Sequence, residues 1–298
     1  MQRWISDTWV VLRRAVQEAR KDDVTTVAQA LAYSLFLAIP AAMLVALGVF
    51  SLVADAGTVE SLIDRAQTVM PEEAATLLRD SLRRSTESSG SGVVMTVVGF
   101  ALAIWTTTSA ATTLMKGITV AFDGTESRGF VRTRLLAGLI VAALLLAAAL
   151  VIGLLILGPH LEAWIGGAID APTLTAWLWW TLQWPVLVVG LLLAFAVVLY
   201  LGPDAGRTGW RLVTPGAVTA LVVWLAASAG LALYSANFGS YDKTWGTLAA
   251  VVVTLVWLWL TSAAVLFGAE VNAQAQKLAT ERAEGTALAA STPPPSLR

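Results

Sequence analysis

Six stretches of the chain, residues 27–53, 93–120, 135–157, 185–201, 212–234 and 248–267, are almost wholly apolar and nearly free of charge. A bilayer's hydrocarbon core takes about 20 such residues as a helix, within a range of roughly 17–25. Inside lipid the backbone must satisfy its own hydrogen bonds, which a helix does residue by residue. The expected fold class is therefore all-α, a polytopic integral membrane protein with six transmembrane helices. Only 13% of the 298 residues are charged, against about 25% in an ordinary soluble domain. A water-soluble globule built from this chain would have too little polar surface to cover its apolar interior.

The first apolar run starts near residue 27 and exceeds the roughly 7–15 residues of a signal-peptide core, so it reads as a retained span. Ahead of it Trp4, Ile5, Thr8, Trp9, Leu12 and Val16 recur at helical spacing, with Arg13, Arg14, Gln17, Glu18 and Lys21 opposite. That pattern suits an amphipathic helix, lying in the membrane interface or packed against the protein's own loops. Before the fourth run, Trp177, Trp179, Trp180 and Trp184 crowd together as rings do at headgroup level. Fourteen of the nineteen Lys and Arg fall at one end of the spans, in the N-terminus, the segments 121–134 and 202–211, the C-terminal tail and Lys116. Both termini are thus expected to be cytoplasmic.

Three regions follow from this reading: an interfacial helix over 1–26, a membrane domain over 27–273 and a disordered cytoplasmic tail over 274–298, which ends in Pro293, Pro294 and Pro295. The outward loop 54–92 is too long to lack structure. Val59, Leu62, Ile63, Ala66 and Met70 form one helical stripe, and Pro71, Glu72 and Glu73 open a second short helix, making an outer cap. A flexible stretch, 85–92, then leads to the second span.

The charges nearly balance, with 19 basic and 20 acidic residues, so no global positive field attracts nucleic acid. The chain has no cysteine and one histidine, His160, which excludes thiolate zinc, iron–sulfur and His-rich metal sites. No cofactor is expected. His160 follows Gly158 and Pro159 and reads as a residue of an outward surface loop. A Walker A phosphate-binding loop is absent from the sequence, which argues against ATP hydrolysis within these residues.

The candidate functional residues are the ionisable and hydroxyl groups nearest the span interiors. Lys116 and Glu270 lie close to the inner ends of the second and sixth spans, and an intramembrane charge is by default a functional candidate. The expectation pairs Glu270 with Lys116 or Arg128, as a gate or as a static lock between helix ends. The second run is 28 residues, about 42 Å as a helix, long enough for Lys116 simply to reach the headgroups. Below Trp105, the residues Thr106, Thr107, Thr108, Ser109, Thr112 and Thr113 either line a polar path or bond their own helix backbone. At the outer mouth Asn237, Tyr241, Asp242, Lys243 and Thr244 form a polar stretch, either a headgroup contact or a solvated loop. Ala226 and Gly230 form a small-xxx-small step suited to close helix packing, and Pro40 and Pro215 are candidate kinks.

An ALxxWxxxSA pattern links Ala101, Leu102, Trp105, Ser109 and Ala110 to Ala220, Leu221, Trp224, Ser228 and Ala229, 119 residues later. With the two spans running in opposite directions, this is either an inverted repeat of the transporter kind or a coincidence in an Ala- and Leu-rich chain.

Four longer stretches carry a family likeness: residues 32–40 (AYSLFLAIP), 105–134 (WTTTSAATTLMKGITVAFDGTESRGFVRTR), 213–234 (VTPGAVTALVVWLAASAGLALY) and 237–273 (NFGSYDKTWGTLAAVVVTLVWLWLTSAAVLFGAEVNA). They resemble the YihY/BrkB family of bacterial inner-membrane proteins, also labelled virulence factor BrkB and formerly ribonuclease BN. The most specific groups are Phe122, Asp123, Glu126 and Arg128, and Gly268, Ala269, Glu270 and Asn272. One departure is Trp245, where the family pattern has Tyr before Gly246. The resemblance implies six spans with both termini inside, and no particular chemistry.

Two functions of different class fit these features. One is a transporter or flippase-like protein for a lipid-like or amphipathic substrate, with membrane lipids as partners and Lys116, Glu270, Asn272, Arg128, Asp123, Glu126, Trp105, Thr107 and Ser109 along its path. The other is a non-catalytic scaffold for envelope assembly. A ribonuclease is disfavoured, because the acidic residues are dispersed and the loops between spans are short; the chain is expected not to be an enzyme.

Overall fold

The computed structural model describes residues 2–53, 89–168, 172–204, 213–237 and 247–291. Among them the chain is all-helical, with seven helices: α1 (Gln2–Lys21), α2 (Val24–Val53), α3 (Ser89–Ala121), α4 (Phe130–Ala168), α5 (Pro172–Leu201), α6 (Pro215–Asn237) and α7 (Thr247–Ser291). Five helices are long and apolar enough to cross a membrane, or up to six when the bent pair Asp7–Lys21 and Val24–Pro40 counts as one span. Large apolar side chains such as Val97, Phe100, Leu145, Leu146, Trp180, Val189 and Leu233 are exposed along these helices. A surface of that kind is at home in lipid rather than water.

The helix ends show why the chain turns where it does. α1 stops at Asp22, whose N–H still bonds the Glu18 carbonyl, and Asp23 takes a left-handed conformation with φ 49° before α2 starts. Asp tolerates this region better than most residues, and the axis bends by 69°. α3 closes in the same way. Asp123 (φ 53°) donates to the Val120 carbonyl and Gly124 to the Thr119 carbonyl, the two-bond pattern of a Schellman cap. α6 opens on Thr214, whose hydroxyl accepts the Ala217 N–H at 3.1 Å, with Pro215 as the first helical residue. There proline's missing donor costs nothing, so Pro215 starts a helix and does not kink one. Thr214→Ala should cost about 1 kcal/mol, read as a lower melting temperature in detergent.

The structure separates into two compact units, residues 1–32 with 111–298, and residues 33–110. In the larger unit the helix ends converge on one apolar core. It contains Ala28 and Leu31 from α2, Met115 and Ile118 from α3, Ala137 and Ile140 from α4, Phe195 and Leu199 from α5, Ala217 and Ala220 from α6, and Leu266 and Ala269 from α7. Small residues recur at this convergence, as expected where helices must approach closely without a hydrophobic drive to separate them from lipid. α7 has 45 residues, about 68 Å at 1.5 Å per residue, longer than the roughly 40–45 Å of a whole bilayer. Its C-terminal part carries α1: Val11 and Ala15 are buried against Val271, with Leu12, Phe267, Ala275 and Leu278 around them. Arg14 pairs with Glu281 at 3.0 Å and Arg282 with Asp7 at 2.6 Å. Trp9, 69% exposed, Val10 and Val16 stay uncovered, so α1 packs on its own chain with one strip and keeps a second apolar strip free.

In the smaller unit, the described parts of α2 and α3 expose Tyr33, Val94, Val97, Phe100 and Trp105. The hydroxyls of Thr106, Thr107 and Thr108 donate to the carbonyls of Leu102, Ala103 and Ile104 within α3.

Several expectations are corrected. Residues 274–291 continue α7 where a disordered tail was expected. The fourth span starts near Pro172, so the four tryptophans lie inside α5 and not ahead of it. Ser89 to Gly92 belong to α3 and are not a linker. His160 sits within α4, because the helix runs through Gly158 and Pro159. The predicted outer cap from Val59 to Leu82, and Tyr241, Asp242, Lys243 and Thr244, lie outside the described residues.

Candidate functional site

The polar groups of the larger unit gather where α1, the end of α3, the start of α4, the end of α5 and the lower part of α7 meet. Arg128 is at the centre, its side chain 1% exposed. Its Nε and Nη2 donate to the two Glu126 carboxylate oxygens at 2.6 and 2.7 Å, and Nη2 also reaches the Gly202 carbonyl at 2.8 Å. Asp204 lies 3.3 Å from the same Nε. It accepts the Ser127 N–H at 2.7 Å and the Ser127 hydroxyl at 2.6 Å, and its own N–H donates to the Thr119 hydroxyl. Thr119 in turn donates to the Met115 carbonyl.

This is a planar, two-pronged use of guanidinium that lysine cannot reproduce. Arg128 holds the Glu126 carboxyl below its ordinary range, chiefly through their hydrogen bond. The Ser127 hydroxyl and N–H, and then the Arg128 charge, do the same for Asp204. Glu126 raises Arg128 above its own usual value. Lys277 of α7 pairs with Asp123 at the α3 cap, tying the long helix to the same loop.

Glu270 is different. It is 1% exposed, and neither carboxylate oxygen makes a hydrogen bond of ordinary geometry among the described residues, the Asp22 carboxyl being the side chain near enough to share a proton with it. The charged groups facing it are Asp22 and Glu18 from the α1 side and Lys277 on its own helix. The expected pairing with Lys116 or Arg128 is absent: Arg128 is committed to Glu126 and Asp204, and Lys116 is exposed on a cleft with Asp22. Beside Glu270, Asn272 accepts the Gly216 N–H at 2.8 Å, which fixes α7 against the start of α6.

The echo between the second and fifth spans does not extend to environment. Trp105 is 62% exposed, whereas Trp224 is packed on the core, donates to the Thr261 hydroxyl at 3.0 Å, and meets the Phe195 and Trp257 rings edge-on. Thr107 bonds its own helix and Ser109 is half-buried in α3. Asn237 is the last residue of α6. Among the described residues Gly230 has open space around its α-carbon, so they do not supply the packing step expected there.

Sequence reasoning missed Asp204, Asp22, Glu18 and Lys277. Asp204 had a signal, a lone acid after Gly202 and Pro203 at a span end. Asp22 and Glu18 converge on Glu270 only through the α1–α2 elbow, and Lys277 lies two turns along the same helix. Among the described residues no three His, Asp or Glu side chains, the Glu18, Asp22 and Glu270 trio included, could hold a metal ion together.

The virulence factor BrkB family profile matches residues 15–293. A Bacillus subtilis protein named ribonuclease-like protein YfkH is 24% identical over 207 residues, covering 70% of this chain and 74% of that one. A UPF0761 membrane protein of Alteromonas mediterranea is 39% identical over 79 residues, 26% of each chain. A UPF0761 membrane protein of Stenotrophomonas maltophilia is 40% identical over 63 residues, 21% of this chain and 15% of that one. No solved structure matches.

Proposed function

We propose that this chain, which belongs to the virulence factor BrkB family of membrane proteins, transports a lipid-like or amphipathic molecule, with Glu270 as its switching group. The observation that carries the reading is a fully buried carboxyl with no hydrogen bond of ordinary geometry among the described residues, turned toward two further carboxylates. Burying an ionisable group without a partner is costly, and in membrane proteins such groups mark ion and substrate pathways. A static lock would pair Glu270, as Arg128 is paired; a group that exchanges a proton or a cation during a cycle is left open. Further support comes from a groove of about 330 Å³ between α4 and α5, lined by Ala143, Ala147, Gly190 and Ala194 with leucine and valine rims. Such a surface accepts an acyl chain. The distribution of Lys and Arg supports a cytoplasmic location for both termini in a bacterial inner membrane.

The test is movement of a fluorescent-labelled phospholipid across vesicles containing the purified protein. Wild type should move it faster than protein-free vesicles, and Glu270→Gln should lower that rate by about tenfold or more, while eluting and melting as wild type does. Equal rates for variant and wild type, or for wild type and empty vesicles, overturn the reading. A scaffold predicts both of these equalities. The ribonuclease-like name of the Bacillus relative supplies another rival, which predicts metal-dependent RNA cleavage lost on changing Asp123 or Glu126. Both carboxylates are already engaged, with Lys277 and Arg128.

A further inference from the structure

A second cleft, of about 230 Å³, opens between the start of α2, the end of α3 and α7. It is lined by Val24, Val27, Val120 and Leu266, with Gly117 at its back and two charged residues, Lys116 and Asp22. The back is as close as it can be: a methyl group on Gly117 would come within 2.8 Å of Leu266 and 3.2 Å of Val27. Lys116 is exposed, and neither it nor Asp22 forms an ion pair among the described residues.

Opposite charges on one apolar-walled cleft, not closed on each other, present complementary ends to a ligand that carries both signs. We propose that this cleft seats the headgroup of a phospholipid bearing both phosphate and ammonium, with Lys116 on the phosphate and Asp22 on the ammonium. The apolar walls take the glycerol end and the first part of the chains. A purely anionic headgroup would satisfy Lys116 but would face the Asp22 carboxylate. A trimethylated ammonium would keep the charge but lose the N–H donors that a carboxylate accepts.

The inference deepens the transport reading and rests on it for one consequence. Asp22 both lines the cleft and faces Glu270, so an ammonium bound at Asp22 changes the field at the buried carboxyl. Asp23, Lys21, Glu18 and Asp123 are the other charges near this elbow, Asp23 accepting the Thr25 hydroxyl, and Lys277 reaches it from α7.

The experiment is native mass spectrometry of the full chain after exchange into mixed micelles. Three probes are supplied separately: an ethanolamine phospholipid, a choline phospholipid and a glycerol phospholipid. Wild type should retain one ethanolamine phospholipid per chain. Lys116→Gln and Asp22→Asn should each reduce retention by about tenfold, with Lys116→Arg keeping it. Lys116 is exposed, so its substitution does not depend on the core and remains informative if Asp22→Asn fails to fold. Equal retention of the glycerol phospholipid, equal retention of the choline phospholipid, or retention unchanged by Lys116→Gln each overturns the proposal. The two readings fail separately. A lipid held through Lys116 and Asp22 but never moved across vesicles sinks transport and leaves the site. Transport that is abolished by Glu270→Gln, in a protein whose lipid retention ignores Lys116, does the reverse.

Discussion

Arg128→Ala should destabilise the folded chain by about 3–5 kcal/mol, the usual cost of removing one partner from a buried charge network. The substitution leaves Glu126 and Asp204 facing one another, and it strips the Gly202 carbonyl of its donor. Arg128→Lys should recover only part of this, since one ammonium cannot make both bonds to Glu126. Thermal unfolding in detergent measures it, and an Ala variant that melts with the wild type would mean that the α3–α4 loop and the α5 end are held by other contacts. The same network sets a pH dependence. Glu126 and Asp204 have folded values below their ordinary ones, so their contribution is complete above about pH 4–5, where the unfolded carboxyls are also ionised. It is lost as pH falls through the lowered folded values. In Arg128→Ala the Glu126 part of that acid-side loss should disappear, because Arg128 is what lowers that carboxyl, whereas Asp204 keeps the Ser127 hydrogen bonds that chiefly lower it.

The spans were legible because length and apolarity are physical requirements of the bilayer and survive without any tertiary information. The edges were not. α5 extends back through Trp177, Trp179, Trp180 and Trp184, because an aromatic cluster reads equally as an interface belt or as part of a tilted or overlong helix. The tail after Ala275 lacks apolar periodicity, yet its first part is rich in Ala and carries Leu, Glu and Arg, which favour helix intrinsically. α1 supplies it with packing and two ion pairs. That partner is some 270 positions away in sequence, beyond what a local pattern reveals.

The site was legible in the same uneven way. Arg128 with Glu126 is a contact two residues apart, and the short motif around it pointed there. Its third member, Asp204, is 77 positions from Ser127. Glu270 stood out as a carboxyl at the end of an apolar run, but its neighbours did not. They are set by the 69° elbow at Asp22 and Asp23, which turns the end of α1 under α7. The natural guess from sequence was Lys116 or Arg128, and the fold instead presents Asp22 and Glu18 alongside Lys277. A pairing rule fails where the arrangement is not built for stability.

Gly216→Ala and Gly268→Ala should each prevent the wild-type packing of α6 on α7, whereas Gly230→Ala should be tolerated. A β-carbon on Gly216 would lie 2.0 Å from the Gly268 carbonyl oxygen and 2.5 Å from Asn272, and one on Gly268 would lie 2.7 Å from the Gly216 carbonyl oxygen and 2.8 Å from Ala220. These obstacles are largely helix backbone, which cannot rotate aside as a side chain does, so the helices must separate. Alanine gains about 1 kcal/mol of helix propensity over glycine. Overpacking costs about 1–3 kcal/mol even where side chains can yield, and Gly216→Ala additionally strains the bond from Gly216 to Asn272. Among the described residues Gly230 meets nothing within 4 Å, so there only the propensity gain is expected, although its small-xxx-small spacing with Ala226 made it the expected contact. The crossing also fixes Glu270, two residues beyond Gly268 on the same helix, against the core. Melting temperatures in detergent decide between the two assignments: loss at Gly216 and Gly268 with none at Gly230 places the close approach at this pair. Wild-type melting of Gly216→Ala would mean that α6 and α7 do not pack through it.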